Sequence, residues 1–200
     1  MIVLGLDLQG TRLGWAVLVG TVLQNAGCVH LGARMEPGAR AGTQRKCEVR
    51  GLRALDLRTT LRHLLDTWAP DVVAYEKVRH HGPGQVESAH GWGAAEMAVL
   101  EVLALRQAEQ RAAGVTPIEL REVGVQAGKL ALTGSGAAPK AQMSLAAAKR
   151  WPSADIDWWA GDHDAADAVG VALAIVAPVA SKAARAKQAA AERRAARGAA

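Results

Sequence analysis

VLGLDLQGTRLGWAVL, residues 3–18, reads as two strands joined by a turn. The apolar run Ile2 to Leu8 suits a buried strand that ends at Asp7, and Gln9-Gly10-Thr11-Arg12 supplies the turn. Leu13 to Val19 resumes as a second strand, Gly20 breaks it, and Val22 to Leu31 reads as a third. The chain therefore opens as a β-meander with an acid at the end of its first strand.

Beyond a Gly/Pro/Arg loop over 32–43, apolar residues recur at Leu52, Leu55, Leu61, Leu64, Leu65 and Trp68. That spacing predicts an amphipathic helix over 43–68, with Arg50, Arg53, Arg58 and Arg62 on its other face. Val72 to Tyr75 is a buried strand running into Glu76, and the loop from Lys77 leads to a long helix at about Val86 to Ala113. Pro117 to Val123 is the next strand. A helix of mixed character, the loop TGSGAAP (133–139) and a helix over Lys140 to Arg150 follow; the last helix, capped by Asp162 or a neighbour, runs to Ala177. Three meandering strands followed by alternating units predict an α/β domain with a mixed sheet and helices on both faces.

With 200 residues, half of them apolar, the chain has enough for one domain with a sizeable core. It has no Phe and a single Tyr, so Leu, Val, Ala and six Trp must fill that core. Cys28 and Cys47 have no metal-ligand spacing and read as reduced thiols of a cytoplasmic protein. Asp7 interrupts the first apolar run too early for a signal peptide, and the longest one, 168–180, is too short for a membrane span. The domain is expected over 1–177. Beyond it, 178–200 is a basic Ala/Arg/Lys-rich tail, expected to be mobile, that carries the whole net charge of +5. The basic balance therefore reports the tail, and residues 1–180 are neutral.

Acids at strand ends are unusual in a chain whose strands are otherwise apolar. Asp7 closes the first strand and Glu76 the fourth; Asp164 and Asp167, three apart, share one helix face. Carboxylates gathered at one edge of a sheet repel unless divalent cations lie between them, and oxygen-only ligation selects Mg²⁺ or Mn²⁺ over zinc. Each acid alone has a plainer reading. Asp7 suits a turn, and Asp162 and Asp164 suit helix caps. Asp167 suits neither. His163 suits a place in a metal shell, a proton relay or an ordinary helix start. His80 and His81 lack the further ligands a zinc site needs.

Together these residues resemble a known family. VLGLDLQGTRLGWAVL is similar to the first hairpin of RuvC-like Holliday junction resolvases, and VVAYEKV (72–78) to their second acidic motif. KLALTGSGAAPKAQM (129–143) resembles the family's lysine-bearing loop, and DHDAADAVGVALA (162–174) its closing helix. The resemblance implies the RNase H-like α/β fold, a mixed five-stranded sheet flanked by helices on both faces. It implies a homodimeric crossover junction endodeoxyribonuclease that acts on branched DNA, four-way junctions above all, and leaves 5′-phosphate and 3′-hydroxyl ends. Asp7, Glu76, Asp164 and Asp167 would be the catalytic residues and would hold two Mg²⁺ ions, with Mn²⁺ able to substitute. Lys129 and Lys140 would meet DNA phosphate.

The chain departs from the cellular members at Leu8, where they have Pro, and at Arg79, where they have an aromatic. Arg79, His80 and His81 are candidates to stack on bases or grip phosphate instead. The compact loop and basic tail are closer to resolvases of phage type. Gly91, Gly93, Ala94 and Ala95 suit close approach of a second helix, either a partner's or the chain's own sheet. Alternatives on the same fold are cleavage of RNA–DNA hybrids or flaps, and a non-catalytic branched-DNA-binding module. Actin-like sugar kinases share an Asp-Gly-Thr hairpin but need a second lobe and a second phosphate loop, for which this chain is too short.

Overall fold

In the computed structural model, which describes residues 1–9, 11–31, 43–77, 86–158 and 163–178, β1 (Ile2–Leu8), β2 (Arg12–Val19) and β3 (Val22–His30) form an antiparallel meander. Gly20 makes the second turn at φ +56°, where a side chain would be strained. β4 (Val72–Lys77) and β5 (Glu119–Gly124) add in parallel on the far side of β1, so the sheet order is β3-β2-β1-β4-β5. The helices are α1 (Thr43–Trp68), α2 (Val86–Ala112), α3 (Val125–Thr133), α4 (Lys140–Arg150) and α5 (Asp164–Val176). No helix among the described residues is long and apolar enough to cross a membrane.

Alternation along the strands sorts side chains onto two faces, each with its own core. Leu4, Leu6, Leu8, Leu13, Val17, Val73 and Tyr75 face α1 and α2. Val3, Ala16, Leu18, Val72 and Ala74 face α3, α4 and α5. The mixed five-stranded sheet with helices on both faces is therefore as expected. The helix over 43–68 is also present, but its buried stripe differs from the expected one. Leu57, Leu61, Leu64 and Leu65 are buried, whereas Leu52 and Leu55 are exposed. A helix of 26 residues is about 39 Å long, longer than the roughly 20–30 Å of these strands. Leu52 and Leu55 lie in its first half, before the buried run that starts at Leu57.

α5 lies flush on the sheet, and everything from Asp164 to Leu173 is buried. Glycine permits this approach. A Cβ on Gly5 would collide with the backbone of Ala168, and one on Gly14 with the backbone of Asp164. Gly170 and Gly128 do the same between α5 and α3, where a Cβ on Gly170 would lie 2.8 Å from the Gly128 carbonyl oxygen.

Candidate active site

Register alone carries the acids to one place. Asp7 has the same parity as Val3 and Gly5, so it faces α5 rather than the leucine-rich core. Glu76 shares parity with Val72 and Ala74 and faces the same way. β1 and β4 pair through Leu6 and Tyr75, so Asp7 and Glu76 stand one step further along neighbouring parallel strands. Asp7 pairs across β2 with Gly14, the residue on which the start of α5 rests. Asp164 and Asp167, on the first turn of α5, thus come down beside Asp7.

The three aspartates offer carboxylate oxygens within 4.8 Å of one another, and all three are buried. Glu76 is half-buried and is not part of that tight trio, but its charge acts on Asp7, and it in turn feels the charge of Asp167. Burial, followed by the charges of Glu76, Asp167 and Asp164, lifts the Asp7 carboxyl well above the usual range. Gln9 partly opposes this by donating from Nε2 to Asp7 at 3.3 Å. Burial and the Asp167 charge push Glu76 up to about 7. Asp167 is pushed up to about 6, mainly by burial, with Lys140 pulling it down.

Lys140, the first residue of α4, sets its ammonium 3.6 Å from Asp164 Oδ1 and 3.8 Å from Asp167 Oδ2. Lys129 on α3 is half-buried and acts electrostatically on both Glu76 and Asp167. Both expected lysines therefore flank the acids. Arg79, His80, His81 and Asp162 lie outside the described residues.

The cap expected from Asp162 or a neighbour falls on His163, which takes φ +72° and makes no side-chain cap hydrogen bond. Its Nδ1 lies 2.7 Å from the Oγ of buried Ser144. That hydroxyl donates its one proton to the Trp158 carbonyl at 2.6 Å, so Nδ1–H of His163 must be the donor to Ser144. Asp164 is not the cap but the first residue of α5, and its side chain is fully buried.

Two partners of Asp164 carry no signal in the sequence alone. Arg12, assigned to the turn, begins β2 on the parity of Gly14 and donates from Nε to Asp164 Oδ2 at 2.6 Å. The Cys28 thiol lies 3.7 Å from the same oxygen and is pushed up to about 11 by burial and the Asp164 charge. The signal for both is parity with Gly14, which becomes readable only once the start of β2 and its register with β3 are known.

The donor set fits a hard divalent cation. It is all oxygen, it is buried, and Asp164 Oδ1 accepts no hydrogen bond. Neither a protein-family model nor a curated protein sequence matches the chain. Among solved structures it is similar to RuvC of Thermus thermophilus, at 23% identity and TM-score 0.58, covering 86% of this chain and 92% of that one. The T. thermophilus RuvC structure in complex with Holliday junction substrate gives 22% identity and TM-score 0.58, covering 86% and 91%. The yeast mitochondrial Holliday junction resolvase Ydc2 gives 13% identity and TM-score 0.59, covering 87% and 78%. The chain has the RNase H-like α/β fold in the form seen in RuvC and Ydc2.

Proposed function

We propose that this chain is a structure-selective endodeoxyribonuclease that resolves four-way and other branched DNA by Mg²⁺-dependent phosphodiester hydrolysis, leaving 5′-phosphate and 3′-hydroxyl ends. The observation that carries the reading is the buried trio Asp7, Asp164 and Asp167, with Glu76 beside it and two lysines at its rim. It gains support from a fold shared with a protein whose structure holds Holliday junction substrate.

Asp7, Asp164 and Asp167, with Glu76, would hold two Mg²⁺ ions, for which Mn²⁺ can substitute. Bound there, the metal supplies an activated water and stabilisation of the leaving oxygen. The chain's own groups do the rest. Lys140, already seated against two of the acids, offsets negative charge where a phosphate would approach. Lys129 adds a second cation on the Glu76 side. Burial of β1 and α5 sets the carboxylates' backbones before substrate arrives, so less reorganisation is left for the reaction. Arg79, His80 and His81 would contact DNA next to Glu76, and the basic segment 178–200 would add salt-sensitive phosphate contacts.

The reading includes a homodimer, because two symmetric nicks require two centres. Met97 and Leu105 leave apolar side chains exposed on α2, outside its buried stripe of Ala98, Val99 and Val102. The test of substrate is cleavage of four-way junctions, flaps and RNA–DNA hybrids side by side with Mg²⁺. Paired, symmetric nicks in the junction are expected. Preferential cutting of hybrids or flaps would replace the resolvase reading with another nuclease of this fold, and binding without cutting would leave a branched-DNA-binding module.

A further inference from the structure

Asp164 differs from the other acids of the trio in how its two oxygens are used. The side chain is fully buried, and Oδ2 accepts from Arg12 Nε at 2.6 Å and has the Cys28 thiol at 3.7 Å. Oδ1 accepts no hydrogen bond and faces the Lys140 ammonium at 3.6 Å, the same ammonium that meets Asp167. One oxygen is therefore tied back toward β2 and β3, and the other is left on the side of the neighbouring acids.

At the start of α5 no side-chain cap bond bears on this orientation. The helix begins at Asp164 itself, after a residue in a left-handed conformation without a side-chain cap bond. A carboxylate there would be free to rotate about χ2 if its backbone alone were held. Arg12 is placed to prevent that. It starts β2, pairs with His30 of β3, and is only a quarter exposed, so its backbone is held by the sheet while its guanidinium reaches Asp164.

We propose that Arg12 is a positioning residue of the candidate metal centre: by claiming Oδ2 of Asp164, its guanidinium presents Oδ1 as the single oxygen offered to a divalent cation. This rests on the metal-dependent reading above. A partner that orients a metal ligand typically changes cation affinity by about 10- to 100-fold when removed. A simple neighbouring countercharge does the reverse, since taking a positive charge away from a cation site strengthens cation binding.

The two roles thus differ in sign. The experiment is Mn²⁺ titration of the full chain without DNA, read from the paramagnetic signal of free Mn²⁺, for the wild type, Arg12→Ala and Arg12→Lys. Thermal melts in chelator show that each variant is folded. Arg12→Ala is expected to bind Mn²⁺ about 10- to 100-fold more weakly, and Arg12→Lys, which keeps the charge and one donor, to recover part of the loss. Equal or tighter binding by folded Arg12→Ala overturns the proposal. Should Arg12→Ala fail to fold, Arg12→Lys decides alone: weaker binding than wild type supports positioning, and equal binding overturns it. Wild-type protein that binds no Mn²⁺ would sink the metal-dependent reading itself, and this proposal with it.

Discussion

The two faces of the sheet are built on opposite rules. Toward α1 and α2 the strands offer Leu4, Leu6, Leu8, Leu13 and Val17, met by Leu57, Leu61, Leu64 and Leu65. Toward α5 they offer Gly5, Gly14, Ala16 and Ala74 where the helix descends, with Val3, Leu18 and Val72 around them, together with Asp7 and Glu76. Large aliphatic side chains hold a helix away from the sheet and bury much apolar area, each full burial contributing about 1.5–3 kcal/mol. Small ones let the α5 backbone descend until its first carboxylates reach those of β1. Both faces bury an apolar core, but only the second spends some of that stability on crowding acids together.

That contrast predicts different responses to substitution. Leu61→Ala removes a fully buried side chain from the first face and should cost about 2–5 kcal/mol in denaturant unfolding. Its Mn²⁺ affinity, measured on the folded protein, should barely move. Gly14→Ala sets a methyl group against the backbone of Asp164, so α5 must shift. Overpacking of this kind costs about 1–3 kcal/mol, and here cleavage and Mn²⁺ affinity should fall as well. If Gly14→Ala lowers stability but leaves metal affinity intact, close helix approach is not what assembles the acids.

The acids also give the second face a pH dependence whose sign can be worked out. Glu76 is held at about 7 and Asp167 at about 6, both above their ordinary values. Such a group takes up a proton on folding between its unfolded and folded pKa. Its unfavourable contribution is absent at low pH and complete above the folded value. Metal-free protein should therefore lose stability as pH rises from about 4.5 to about 7, and Mg²⁺ should restore it at the upper end. Glu76→Gln should flatten that slope; a slope unchanged by the substitution would mean that Glu76 is not the group responsible. Smallest of all should be Arg58→Ala, which breaks an exposed pair with Glu101 between α1 and α2. Unfolding should register less than about 1 kcal/mol.

Much of this was legible in the sequence because the residues violate local rules. An acid ending an apolar strand, as Asp7 and Glu76 do, or one inside a helix as apolar as α5, as Asp167 is, shows without coordinates. Lys140 showed through its place after the Gly-rich loop. Arg12 did not, since a charged residue near a turn is ordinary, and only the register of β2 turns it toward Asp164. Nor did the outward turn of Leu52 and Leu55, because periodicity identifies an apolar stripe without saying which part of it is covered. The sequence places the cap at Asp162 or a neighbour without choosing between them: it falls on His163, and packing on Gly14 sets the place of Asp164.

The most direct test of the site is Asp7→Asn, which removes one carboxylate charge from the buried trio while nearly preserving its shape. Cleavage of a four-way junction in Mg²⁺ and binding of the same junction in Ca²⁺ should be measured together with wild type. Abolished cleavage with binding largely intact is the predicted result. Cleavage at the wild-type rate would contradict the assignment of these acids as the catalytic centre.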